Sequence, residues 1–118
     1  MQTQEKLYKI KFLLKKNELE TAYINIQELK NNFSSHSDRI KNEIILYYSR
    51  FLYLKGEYRE FISYIDSNIK QILESKTLEF EDVILTMNNF IKIQESNKNF
   101  EQATKFYKLL IKKQFNET

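Results

Sequence analysis

The sequence predicts an all-α protein, and three observations support that fold class. Apolar residues recur at three- and four-residue intervals along nearly the whole chain, which is the spacing of one face of a helix. The 118 residues include no proline and one glycine, so the residues that usually mark β-turns are missing. Leu, Lys, Glu and Gln are plentiful and favour helices. We therefore expect a single helical domain over residues 1–118.

Polar breaks divide the helical pattern into six segments. The tetrapeptides NELE, starting at Asn17, and NFEQ, starting at Asn99, have the spacing of a capping box, in which the first side chain caps a helix. Longer polar joints at 34–38 (SSHSD) and 74–77 (ESKT) supply N-cap candidates for the helices that follow them. The predicted helices span approximately residues 3–16, 18–33, 38–55, 57–74, 78–96 and 99–115.

The remaining break contains Gly56, inside the most aromatic stretch of the chain. Residues 47–66 hold seven aromatic side chains around it. Glycine readily takes the left-handed conformation that ends a helix, so we expect the chain to reverse here and the aromatic residues of the two helices to pack together. The six helices then form three stacked antiparallel hairpins, approximately residues 3–33, 38–74 and 78–115.

The turns within the three hairpins align as an internal repeat with spacings of 39 and 42 residues. Two aligned positions carry apolar residues in every unit: Leu19, Tyr58 and Phe100 at one, and Ala22, Phe61 and Ala103 at the other. A unit of two helices cannot bury its apolar face alone, so such units stack on their neighbours and form a solenoid.

The stretch LYYSRFLYLKGEYREFISYI, residues 46–65, resembles the core of a tetratricopeptide repeat, because a glycine-acidic-aromatic turn follows an aromatic-rich first helix. Ser49 and Ala103 supply the small residues found where the family's helices cross, whereas Phe61 and Ile91 are bulky there. The period also exceeds the family's, which is about 34 residues. The resemblance implies a divergent, right-handed solenoid whose first helices line a ligand-binding inner groove.

The aromatic run ILYYSRFLYLKGEY, residues 45–58, is also similar to the helical-repeat domains of peptide-responsive regulators in Gram-positive bacteria, the Rap and Rgg-like group. This similarity implies a role in transcription regulation. The chain would be the sensor part of a regulator, and the DNA-binding portion would lie outside this sequence.

Residue types that carry enzyme chemistry are scarce. The chain has no cysteine and one histidine, His36 in a polar joint, so neither a thiolate metal site nor a nucleophile with a histidine base is expected. A single glycine excludes a glycine-rich phosphate loop. Glu79, Glu81 and Asp82 lack the spacing of a calcium loop and suit the first turn of a helix, where the helix dipole stabilises acids. We expect a non-enzymatic protein without metal or cofactor.

The net charge of +3 is concentrated at the two ends of the sequence. Residues 1–16 carry five lysines against Glu5, and residues 100–114 carry four lysines against Glu101. Only three arginines are present, so direct nucleic-acid binding is not expected. No apolar run approaches the roughly 20 residues of a membrane span, and the N-terminus lacks the pattern of a secretory signal. We expect a cytoplasmic protein without a membrane partner.

The repeat register predicts a ligand-facing surface on the first helix of each hairpin. Lys11, Arg50 and Lys92 occupy the same position in the three units and form what we call the basic column, with Tyr53 and Asn88 beside it. Arginine can hold a carboxylate by two parallel hydrogen bonds, and asparagine can bond peptide groups, so these five residues predict binding of an acidic or carboxylate-ended peptide. The alternative interpretation is exposed charge lying over aromatic surface.

The ends of the predicted array support a second functional hypothesis. The last helix has apolar residues on two sides and no obvious polar helix to cap it: Phe106, Leu110 and Ile111 on one side, and Tyr107 and Phe115 near the other. Exposed apolar surface of this kind is typical of interaction sites. The alternative function is therefore homo-oligomerisation through the end helices.

Overall fold

The structure is a computed structural model that describes residues 2–117 of the chain, with side chains described for residues 2–115. Helices dominate this part of the chain. This part contains six α-helices, one short 3-10 turn and no strand, so the predicted all-α class is confirmed. The elements are α1 (Thr3–Lys15), α2 (Leu19–Lys30), the 3-10 turn (Phe33–Ser35), α3 (Asp38–Lys55), α4 (Tyr58–Glu74), α5 (Phe80–Ser96) and α6 (Phe100–Glu117).

Serine residues organise the two longer joints. Ser37 caps α3, as predicted, because its Oγ accepts a hydrogen bond from the backbone N–H of Ile40 at 3.4 Å. Ser75 instead stabilises a turn: its Oγ accepts from the N–H groups of Thr77 and Leu78, both at 3.2 Å. These bonds hold residues 75–78 outside a helix, so α5 begins at Phe80 and not at the predicted residue 78.

The three tight turns share one backbone geometry. Gly56 is left-handed with φ of 83°, as predicted, and Asn17 and Lys98 are left-handed too, with φ of 60° and 61°. In each turn the following residue donates its N–H to the carbonyl five positions back, at 2.8–2.9 Å: Glu18 to Leu13, Glu57 to Leu52, and Asn99 to Gln94. This is the Schellman pattern of helix ends, and it recurs at the 39- and 42-residue spacings of the sequence repeat.

The capping box predicted at Asn17 is wrong. α2 begins at Leu19, and the residue before it, Glu18, makes no side-chain cap bond. Residues 16–18 alone connect α1 to α2, so Asn17 completes the end of α1 and cannot also cap α2. Asn99 directly precedes α6, and its Nδ2 lies 3.4 Å from Oε1 of Gln94; the capping box at Asn99 stays a prediction.

The helices pack around a continuous apolar core with members from all six of those described. Each helix contacts the next along the chain, and α1 with α3, α3 with α5 and α4 with α6 also pack together. Aromatic rings join α3 to α4 as predicted, with Tyr48 and Tyr64 edge to face at 5.0 Å and Tyr53 and Phe61 at 5.5 Å. The aligned position of Ala22, Phe61 and Ala103 is at most 3% exposed in every unit.

Candidate functional site

A cluster of polar residues lies where α1, α3 and α5 approach one another. We call it the inner cluster, and its members are Lys11, Glu43, Tyr47, Arg50, Glu79 and Asp82. The Nζ of Lys11 donates to Oδ2 of Asp82 at 3.1 Å and to Oε2 of Glu79 at 3.2 Å. Asp82 lies in the first turn of α5, and Glu79 directly precedes that helix. Lys11 therefore links α1 to the start of α5.

Arg50 lies beside this link and has a buried donor without an acceptor. Its Nη1 is buried and makes no hydrogen bond. It borders a cavity of about 40 Å³ that is also lined by Lys11, Lys15 and Asp82. One water needs about 10–15 Å³ by the same measure, so the cavity has room for a few waters or for one carboxylate. Its lining carries three cations and one acid.

Burial and charge act differently on the ionisable groups of the inner cluster. Burial lowers the pKa of Arg50, against the opposing effect of Tyr53 and Asp82. Burial also disfavours charged Lys11, but its hydrogen bonds to Asp82 and Glu79 outweigh that effect and raise its pKa. Arg50 is therefore a desolvated cation, whereas Lys11 stays charged and its charge is balanced by two carboxylates. An incoming anion would compensate Arg50 more than Lys11.

The pKa values of Glu43 and Tyr47, both on α3, are raised. Burial raises the pKa of Glu43, and Arg39, whose Nη1 lies 3.7 Å from Oε2 of Glu43, offsets this only in part. Burial also raises the pKa of Tyr47, and the negative charges of Glu43 and Asp82 raise it further. Both shifts show that the α3 side of the cluster is poorly solvated.

Two of the five predicted site residues come together, and three lie elsewhere. Lys11 and Arg50 line the same cavity, whereas Tyr53, Asn88 and Lys92 do not. Tyr53 is half-buried, with its ring 5.5 Å from the rings of Tyr58 and Phe61 on α4.

The two predicted site residues on α5 are exposed. Asn88 borders a separate cavity of about 180 Å³ between α5 and α6, next to Tyr107 and Ile111. Lys92 is exposed one turn further along α5. Their role in binding stays a prediction, and any ligand that reached them would have to extend outside the cavity that Arg50 lines.

Sequence reasoning did not find the acidic partners of the inner cluster. Asp82 was correctly placed in the first turn of a helix, but its pairing with Lys11 joins residues 71 positions apart. The local spacing of residues does not predict such a contact, because the contact depends on how closely α1 approaches α5. The only available signal was the opposite charge of residues on helices expected to line one surface.

Lys113 is a second residue that sequence reasoning missed. It is only 5% exposed, and its Nζ donates to the carbonyls of Leu73 and Ser75, both at 3.0 Å. These carbonyls lie at the end of α4, where a helix leaves acceptors without intrahelical donors. Depressions of about 1000 and 900 Å³ run beside α6, and each is lined in part by exposed lysines. Because Lys113, the buried lysine there, already binds two carbonyls, we assign it a structural role.

Neither a search of the described residues for metal sites and membrane spans nor comparison with other proteins adds a functional assignment. Among the described residues, no group of three or more His, Cys, Asp or Glu could hold a metal ion. Over the same residues, no helix is both long and apolar enough to cross a membrane. The chain matches no protein-family model, and no curated protein or solved structure is significantly similar to it.

Proposed function

We propose that the chain is a non-enzymatic module that binds proteins or peptides. Its fold in this proposal is a divergent right-handed solenoid of three stacked antiparallel hairpins, similar to tetratricopeptide repeats. The shared geometry of the three turns supports the proposal, as do the contacts of α1 with α3 and of α3 with α5. In such a solenoid the first helices form the inner surface. The inner cluster lies on those helices.

The observation that carries the proposed function is the buried Nη1 of Arg50 without a hydrogen-bond partner. A buried donor left unsatisfied costs about 1–3 kcal/mol, and a carboxylate that accepted from the guanidinium would remove this cost. Lys11 and Lys15 border the same cavity and add positive charge. We infer that the ligand is a peptide that offers one carboxylate, from its C-terminus or from an acidic side chain, to Arg50.

The rest of the peptide would lie along the inner surface. Tyr53, Asn88 and Lys92 stay the predicted contacts outside the cavity, since each is at least partly accessible. The incoming carboxylate competes with Asp82 for the Nζ of Lys11, so binding would loosen the link between α1 and α5. A ligand-dependent change of this kind suits the sensor part of a peptide-responsive regulator, the role that the sequence resemblance implies.

A pair of matched peptides tests the carboxylate site. An N-acetylated tripeptide with a free C-terminal carboxylate and its C-terminal amide are titrated into ¹⁵N-labelled protein, and the side-chain Nε–H signals of the three arginines are followed. We expect the acid, and not the amide, to shift the Arg50 signal, and added salt to weaken the effect because charge pairs are screened.

Two substitutions control this experiment. Arg50→Gln should abolish binding of the acid, whereas Arg59→Gln, at an exposed position on α4, should leave it unchanged. Equal binding of acid and amide, or equal loss in both variants, would show that the cavity does not recognise a carboxylate.

A further inference from the structure

The two end helices expose apolar side chains in matched pairs. On α1, Tyr8 is 67% exposed and Phe12 is 58% exposed. On α6, Tyr107 is 45% exposed and Ile111 is 53% exposed. Single exposed apolar residues are common, but each of these pairs is spaced four residues apart and so lies on one face of its helix. We call these pairs the α1 face and the α6 face.

The α1 face corresponds to a buried face of α3. With the 39-residue offset of the turns, Tyr8 and Phe12 align with Tyr47 and Phe51, which are 8% and 5% exposed. The ring of Phe51 stacks on Tyr23 of α2 at 5.0 Å, in the interface between the first helix pair and the second. The α1 face thus has the kind of residues that, on α3, pack that helix against the preceding helix pair.

The α6 face corresponds in the same way to a covered face of α4. With the 42-residue offset, Tyr107 and Ile111 align with Ile65, which is 0% exposed, and with Ile69, which is partly buried against the core. α4 packs on α5 and α6, which follow it, whereas the main neighbours of α6 are α4 and α5, which precede it. The α6 face thus has the residues that a following pair would cover.

From this correspondence we infer that the α1 face of one copy of the chain binds the α6 face of another copy. The contact continues between chains the interface that joins α2 to α3 within one chain. It uses no residue of the inner cluster, so it stands independently of the carboxylate site at Arg50; of the predicted outer contacts of the peptide, Asn88 borders the same cavity as Tyr107 and Ile111. The two faces differ, so the contact is heterologous, and copies add head to tail without closing at a dimer.

Charge sets the salt dependence of this assembly. Lys9 is exposed beside Tyr8, and Lys108 is exposed beside Tyr107, so both faces carry positive charge. Like charges repel across the contact, and salt screens them over a Debye length of about 10 Å at 0.1 M. Added salt should therefore strengthen self-association, in contrast to its effect on carboxylate binding by Arg50.

Sedimentation velocity of the intact chain tests the inference. We expect the weight-average mass to rise with concentration from the 14.4 kDa of the monomer and to continue past the dimer, more steeply at higher salt. Phe12→Asp should block the α1 face and Ile111→Asp the α6 face, each lowering the association constant at least about tenfold, because each removes an apolar contact and places a carboxylate in an interface that must lose water. Circular dichroism should show both variants folded, since both positions are exposed.

The decisive sample is a mixture of the two variants. Phe12→Asp keeps an intact α6 face and Ile111→Asp keeps an intact α1 face, so the mixture should form one-to-one dimers and nothing larger. Ile24→Asp is the matched control: Ile24 is 58% exposed, its repeat equivalents Ser63 and Lys105 are exposed too, and assembly should be unchanged. A monomeric wild-type chain at all concentrations, or dimers of Phe12→Asp alone, would overturn the inference.

Discussion

The middle helices and the end helices place similar residues in different surroundings. Phe51 of α3 is 5% exposed, and Phe12, at the same repeat position on α1, is 58% exposed. Ile65 of α4 is 0% exposed, and Tyr107, its equivalent on α6, is 45% exposed. The difference comes from the neighbours, because α3 and α4 have helices on both sides and the end helices have them on one. The same repeat position is therefore buried in the middle helices, where it stabilises the fold, and exposed on the end helices, where we propose that it serves self-association.

Truncating the two equivalent phenylalanines tests this comparison most strongly. Phe51→Ala should lower the free energy of unfolding by about 3–5 kcal/mol, because a buried ring leaves a cavity. Phe12→Ala should change it by less than about 0.5 kcal/mol, as expected of an exposed site. Urea denaturation of dilute protein, where self-association is negligible, measures both. Similar losses in the two variants would mean that α1 is covered in the monomer.

Two adjacent lysines lie on different sides of α6: Lys113 is buried and hydrogen-bonded to α4, and Lys112 is exposed. Lys113→Met keeps the aliphatic stem but leaves the carbonyls of Leu73 and Ser75 without their donor, so we expect a loss of about 1.5–3 kcal/mol. Lys112→Met, at an exposed position, should be nearly neutral. Thermal and urea unfolding of the two variants provide the comparison. An equally small effect of both would remove the structural role assigned to Lys113.

Much of this fold could be predicted from the sequence, because helix periodicity and turn residues act locally. The all-α class, the existence of the six helices and the left-handed Gly56 all followed from neighbouring residues. The left-handed conformations of Asn17 and Lys98 were missed. Lysine gives no hint of this conformation, and asparagine suggested a helix start. Both residues are held there by the hydrogen bonds of the turn, which outweigh local preference.

The turns allow a smaller test in which two substitutions have opposite signs. Gly56→Ala should destabilise by about 1 kcal/mol, because alanine resists the left-handed conformation, and a Cβ there would meet no atom within 4 Å. Lys98→Gly should stabilise by about 0.5 kcal/mol, as the relief of the same strain exceeds the added freedom of the unfolded chain. Chemical denaturation curves decide both signs. A destabilising Lys98→Gly would show that the lysine side chain contributes contacts of its own.

The candidate site was less predictable than the fold. The repeat register alone brought Lys11 and Arg50 to one surface, and they do line one cavity. The register could not show that Lys11 is already paired with Asp82 and Glu79, since that depends on the distance between α1 and α5. It also could not show which cation lacks a partner. These points depend on the burial of each side chain and on contacts between residues far apart in the sequence. The local spacing of residues predicts neither.

The smallest expected effect concerns Glu43, again through equivalent repeat positions. The corresponding residue of the first unit is Gln4, so Glu43→Gln gives the middle unit the side chain of an end unit. Burial raises the pKa of Glu43 above its usual value of 4.5, which means that the folded state holds this proton more tightly than the unfolded state does. Wild-type stability therefore falls as the pH rises from 4.5 through the folded pKa.

The glutamine variant cannot titrate at this position and escapes that loss. The free energy of unfolding of Glu43→Gln, relative to wild type, should therefore increase between pH 4 and pH 7, by less than about 1 kcal/mol because Arg39 partly compensates the charge. Urea denaturation of both proteins at the two pH values measures this double difference, in which acids that titrate alike in both proteins cancel. A relative stability that stayed constant or fell would show that Glu43 is well solvated or fully paired, and that the α3 side of the inner cluster does not disfavour negative charge.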